Sequence, residues 1–407
     1  MRNKTEMDQD EARRLLVEGA TLLVLDVPEG TNFGIDLKSW ETGERFRGIK
    51  MIPPGIHFIY HSAIGRHGDT APRIGFMECF KKGDIIVKKW DSNSGEIDHS
   101  KTVTEEELQR IRANLCNIDR FLGPYPYEIW DKWKLLSDKI TEPLAKQLMP
   151  ASGVIRSALE LVSLNEVKTD PDGSKDPPSE STPETDSPSG KHSCPTSEDV
   201  GSYKRRRHGR PLTVEEIEED LLPGLKPAPG TALRLTNFPK LYYPPGSTPA
   251  EITLHSMDSS YALKTVLDQH ERPDNLVGEL QFTFLCFLVG QSLEAFEHWK
   301  RLVDLLCNCE KAIREHHELY ENFMWSLEPQ LWEVQEDFLA DIVTNNNAIY
   351  RALRRLFRNI QSPDNNLEGR FKTRTARFAE RLTEKFSWDF DDIDEEEEDE
   401  KPVIVDL

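Results

Sequence analysis

A chain of 407 residues is too long for one typical core, and its 37% hydrophobic content is enough for about two. Its formal charge of −21 opposes broad binding to phosphate backbones, because an acidic surface repels the polymer rather than releasing its counterions. The longest apolar run, LQFTFLCFLV at 280–289, is half of the roughly 20 residues that cross a bilayer, and the six irregularly spaced cysteines do not have the spacing of a disulfide framework.

The start, MRNKTEMDQDEARR, contains no apolar signal region, so a reducing intracellular compartment is expected. Helical character over 5–18 gives way to GATLLVLDVPEG, an apolar run closed by Pro28 and Gly30, as in a buried strand. Ile56, Phe58 and Tyr60 alternate along GIHFIYH. RIGFMECF and DIIVKKW continue the strand pattern, with Gly83 and Asp84 at the turn between them. Thr104 with Glu107 three residues later reads as a capping box that opens a helix, which Gly123 and Pro124 stop, and a second helix is expected over roughly 126–140. The expected N-terminal β-rich domain with helices covers 1–164.

From Asn165 to Pro211 the chain has no Leu, Ile, Phe, Trp or Met, so nothing there offsets chain entropy and a disordered linker is expected over 165–211. Within it, Lys204, Arg205, Arg206 and Arg207 form a candidate nuclear localisation signal. Thr182 and Ser187, each followed by Pro, are candidate phosphorylation sites. Short basic runs are just as often solvated linker.

Past the linker, helical periodicity dominates, and 212–388 is expected to be an all-α domain. Thr248, Pro249 and Glu251 form a helix start signal, with the helix expected to reach about His270. Phe296, Trp299, Val303 and Leu306 share one face of the next amphipathic segment, with Glu297 placed to pair with Arg301. Further helices are expected near 311–326, 333–360 and 370–387. Ten of the twelve residues from Asp389 to Glu400 are acidic, and PVIVDL follows. In this 389–407 tail, the consecutive β-branched Val403, Ile404 and Val405 suit strand addition to another sheet edge.

No phosphate-cradling loop, nucleophile elbow or zinc-protease motif occurs, so no enzyme and no cofactor are expected. Cys307 and Cys309 with His316 and His317 suggest zinc by residue type only. Side chains two apart on a helix diverge by roughly 160°, and core roles are favoured. His57 and His61 share a strand face near Cys79, a thin basis for a hydrolase, and no orienting acid is evident in the sequence. Trp40, Phe46 and Arg47 are candidate partner-binding residues of the types enriched at hot spots, with core packing as the equal alternative.

Long ordered strings carry a resemblance: GATLLVLDVPEGTNFGIDLKSW, FRGIKMIPPGIHFIYHS and GELQFTFLCFLVGQSLEAFEHWKRLVDLLC, with FLGPYPY (121–127), TPAEIT (248–253) and KFSWDF (385–390). Together they resemble the AAR-two family of pre-mRNA splicing factors, across both folded regions but not over 165–211. The resemblance implies an α+β multidomain protein, with a β-sandwich-like N-terminal domain and a VHS-like helical C-terminal domain. It further implies a non-catalytic assembly chaperone of the U5 small nuclear ribonucleoprotein, a monomer found in the cytoplasm and nucleus. Its partner would be the Prp-eight scaffold, whose RNase H-like and Jab/MPN-like domains are bridged by the tail before the Brr-two helicase is incorporated. No membrane or direct nucleic-acid partner is expected. A trafficking adaptor, also built on VHS-like helices, is the alternative.

Overall fold

The structure is a computed structural model that describes residues 14–15, 18–64, 70–99, 103–159, 161–163, 225–334, 347–362, 367 and 369–390. It contains two compact units, one formed by 1–159 with 229–407 and one by 160–228. In the smaller unit, β11 (Leu161–Ser163) pairs antiparallel with β12 (Leu225–Pro227). Sequence pattern misses β12 because three residues ending in Pro carry no alternation.

In the larger unit, two five-stranded sheets are built from the first 160 residues. The first contains β1 (Ala20–Leu25), β4 (Gly48–Ile52), β7 (Ile85–Asp91), β8 (Glu96–Asp98) and β9 (Leu122–Pro124), in the order β8-β7-β1-β4-β9. The second contains β2 (Asn32–Ile35), β3 (Lys38–Glu41), β5 (Gly55–Ser62), β6 (Ile74–Phe80) and β10 (Ile155–Arg156), in the order β10-β6-β5-β2-β3. The turn at Gly83, φ +70°, therefore joins strands of different sheets rather than closing a hairpin. Gly48 is required where β4 meets β1: its φ is +137°, and a Cβ there would stand 1.9 Å from the Leu22 carbonyl oxygen.

The period-2 pattern of β5 separates two cores. Ile59 joins Leu22, Phe33, Ile49 and Phe76 between the sheets, while Ile56, Phe58 and Tyr60 face the helices. That second core continues without a break through α2 (Trp130–Ser137), α3 (Glu142–Leu148) and the later helices. The Trp133 indole donates to the Ile56 carbonyl at 2.8 Å, and the Arg73 guanidinium reaches the Val289 carbonyl at 2.6 Å.

The capping box at Thr104 and Glu107 opens α1 (Glu105–Ile118), which buries no residue. Of the helix expected over 5–18, Arg14, Leu15 and Glu18 are described, in helical conformation. The second expected helix begins later, at Trp130, after a 3-10 turn at Tyr127–Ile129.

The later helices are α4 (Pro249–Met257), α5 (Ser260–Leu267), α6 (Asp274–Leu288), α7 (Leu293–Cys307), α8 (Glu310–Glu315), α9 (His317–Glu333), α10 (Ala348–Gln361) and α11 (Gly369–Phe386). The start signal at Thr248 operates as a capping box, but the helix stops at Met257 instead of reaching His270. Asp258 follows in extended backbone, and its carboxylate accepts from the backbone amides of Ser260 and Glu310 at 3.1 Å each, at the starts of α5 and α8. On α7, Phe296, Trp299, Val303 and Leu306 are buried. Glu297, however, pairs with Lys300 at 2.7 Å, while Arg301 lies over the Phe238 ring at 4.2 Å. Helix α6 is buried from Leu276 to Cys286, as its near-continuous apolar run requires. No helix among the described residues is long and apolar enough to cross a membrane.

Candidate interaction surface

The histidine pair does have an orienting acid, which corrects the sequence expectation. Asp36 sits in the two-residue connection between β2 and β3 at φ +55°, a conformation Asp tolerates, and its side chain turns inward. Its Oδ2 lies 2.7 Å from His57 Nδ1 and accepts from the Tyr125 hydroxyl at 2.7 Å, and its Oδ1 accepts from the Phe58 amide at 2.9 Å. His57 Nε2 faces the Pro53 carbonyl at 2.8 Å, so both ring nitrogens meet protein oxygens. Asp36 and His57 have no solvent exposure. Their geometry ties a turn, a strand and the Tyr125 segment together, and a substrate has no path to it.

His61 points elsewhere, edge-on to Trp90 at 4.8 Å. Burial pushes its value down to about 4 against the attraction of Glu96. Cys79 is half-buried, and its thiol is pushed up chiefly by burial. Cys307 and Cys309 are sealed in the helical core, where burial holds both as thiols, and Cys309 donates to the Leu305 carbonyl at 2.9 Å. A second buried polar cluster fastens the segment before α4 to the helices. Burial works to raise the Glu279 carboxyl, yet hydrogen bonds from His298 at 2.8 Å and from the Thr236 amide and hydroxyl hold it below its usual range.

Of the candidate binding residues, Trp40 and Phe46 both adjoin Phe33. Trp40 lies on β3, an edge strand, is 37% exposed and sits opposite Phe33 in register. Phe46 is half-buried against Phe33, ring centroids 5.1 Å apart, and Arg47 donates to the Phe46 carbonyl at 2.7 Å. Val403, Ile404 and Val405, the basic run at 204–207, Thr182 and Ser187 lie outside the described residues.

A second exposed aromatic surface, with no sequence motif to mark it, lies on α9. Trp325 and Trp332 are 51% and 40% exposed on α9. Seven residues apart, they share a face two turns from each other, while Phe323, Leu327 and Leu331 point into the core. Pro329 lies between them and leaves the Trp325 carbonyl without its i+4 amide donor. Leu135 of α2, 45% exposed, completes the floor of a groove of about 560 Å³. Cations frame the rings: the Lys385 amine lies 4.9 Å from the Trp332 centroid, and the Arg374 guanidinium lies 5.6 Å from that of Trp325. The readable signal was a Trp pair at i and i+7 out of phase with the apolar stripe of its own helix.

Two family models match the two folded regions: the AAR2 N-terminal domain over residues 18–150 and the AAR2 C-terminal repeat region over 235–391. The chain belongs to the AAR2 family. It is 40% identical over 406 residues to the AAR2 homolog of Macaca fascicularis, covering 99% of this chain and 97% of that one. It is 38% identical over 408 residues to the human AAR2 homolog, with the same coverage. To the AAR2 homolog of Caenorhabditis elegans it is 35% identical over 374 residues, covering 91% of this chain and 95% of the relative.

Proposed function

We propose that the chain is a non-catalytic pre-mRNA splicing factor that chaperones assembly of the U5 small nuclear ribonucleoprotein by binding the Prp-eight scaffold. AAR2-family membership along almost the whole chain carries this reading. The folded body, with a VHS-like helical stack, presents Trp40, Phe46 and Arg47 near the β3 edge to one domain of the scaffold. The tail places Val403, Ile404 and Val405 as an added strand on a second, where backbone groups pair with an exposed edge and alternate side chains fill pockets. Two linked weak contacts reinforce each other through effective concentration, so bridging needs no single tight interface. The sealed Asp36 and His57 pair favours binding over catalysis, because neither group is exposed to a substrate. The protein works in the cytoplasm and the nucleus, consistent with scaffold assembly before helicase incorporation.

Affinity purification of the tagged full chain from cells, with mass spectrometry, tests this reading. Recovery of U5 splicing proteins is expected. Recovery of membrane-coat proteins in their place would favour the trafficking adaptor and overturn the proposal.

A further inference from the structure

We propose that the groove beneath Trp325 and Trp332 is a docking site for the acidic C-terminal tail of the same chain. Three grooves run on from one another along α11. The first, about 430 Å³, is walled by Thr383, Glu384 and Phe390, the point where the described chain ends. It shares Glu380 with the second, about 500 Å³, whose wall carries Arg374, Arg377 and Arg381. That groove shares Trp325, Glu328 and Arg381 with the third, floored by Leu135, Pro329 and Trp332. Phe390 fixes the starting point, because its ring packs against Phe357 at 4.9 Å and Tyr350 at 5.5 Å.

Charge selects the occupant. Helix α11 carries Arg370, Lys372, Arg374, Arg377, Arg381 and Lys385 against two acids, Glu380 and Glu384. Arg374 and Arg381 contact Glu321 and Glu328, while Arg370, Lys372 and Arg377 face no described acid within ion-pair distance. The chain leaving Phe390 reads DDIDEEEEDE and then KPVIVDL. The order of chemistry along the tail therefore matches the order along the surface: acids beside the arginines, then Val403, Ile404 and Val405 at the apolar floor. Length permits it. The nine steps of α11 from Thr383 back to Arg374 rise about 14 Å, and a ten-residue extended run spans up to about 33 Å. Occupied this way, the tail covers Trp325 and Trp332 in the free protein and is held back from other sheet edges until a partner displaces it.

Zero-length carbodiimide cross-linking of the full chain tests this, using an equimolar mixture of ¹⁴N- and ¹⁵N-labelled protein read by mass spectrometry. Carboxylates of residues 391–400 are expected to join Lys372 or Lys385 severalfold more than the exposed Lys89 or Lys264, within single chains. The excess should disappear in R374E/R377E. It should also fall in the unaltered chain at about 1 M salt, where screening acts within about 3 Å, so the test stands even if the variant fails to fold. Equal linkage to all four lysines overturns the proposal, as does an excess insensitive to salt. Links between heavy and light chains would assign the groove to a second copy.

Discussion

Asp36 and His57 meet at 2.7 Å with no solvent exposure on either, joining a hairpin turn to the centre of the second sheet. The carboxylate also takes the Tyr125 hydroxyl and the Phe58 amide, so one side chain satisfies three buried donors. Removing it leaves all three buried donors without that acceptor. We expect D36A to lose about 3–5 kcal/mol of stability and Y125F, which loses one hydrogen bond, about 1–2 kcal/mol. Urea unfolding followed by tryptophan fluorescence measures both, and equal effects would remove Asp36 from its central place.

Acid should destabilise the protein before its carboxylates titrate. His61 takes a proton near pH 6.5 when unfolded but only near 4 when folded, because burial disfavours the cation. Above pH 6.5 both states are neutral and the contribution is fully present. As pH falls from 6.5 to 4, the unfolded chain gains a proton that the folded one refuses, so stability falls by up to about 3 kcal/mol. His99, held down to about 4 by burial and by Lys88, adds a smaller share because it is only half-buried. Glu78 and Glu294, raised by burial, work in the opposite direction. Comparing H61F with the unaltered chain isolates the histidine: the variant should lose most of the slope between pH 6.5 and 4.

Gly278 tests the core shared by the two folded regions. On an exposed helix, Gly to Ala gains about 1 kcal/mol. Here a Cβ would stand 2.5 Å from the Lys139 carbonyl oxygen, on the segment that links α2 and α3, and 2.5 Å from a methyl of Leu144 on α3. G278A is therefore expected to cost about 1–3 kcal/mol, with crowding outweighing propensity. A stabilised variant in thermal unfolding would mean that the segments are not closely packed.

W332A, in contrast, should leave stability within about 1 kcal/mol, since the ring lies outside the helical core and is 40% exposed on its surface. Calorimetry checks this. A large loss would make Trp332 part of the core rather than a contact surface.

Local chemistry was the legible part of this fold. Thr104 with Glu107 and Thr248 with Glu251 announce their helices within four residues, and the alternation of Ile56, Phe58 and Tyr60 marks one face of β5, while burial of the other face at His57, Ile59 and His61 is seen only in the fold. Long-range pairing was not legible. Nothing near Gly83 says that β6 and β7 belong to different sheets, and nothing near His57 names a carboxylate 21 residues earlier as its partner. The helix from Thr248 was overextended because apolar periodicity continues through Asp258, whose capping role depends on a backbone amide at Glu310. Trp40 and Phe46 were visible as residue types, but only the sheet order places Trp40 at an edge and Phe46 against Phe33.

The proposed bridging of two scaffold domains rests on the last seven residues. Isothermal titration of the full chain and of a chain lacking 401–407 against the RNase H-like and Jab/MPN-like domains of Prp-eight, singly and together, tests it most directly. Loss of the ternary complex with the first-domain contact retained is the result expected. Unchanged affinity and unchanged bridging after the deletion would contradict strand donation by the tail.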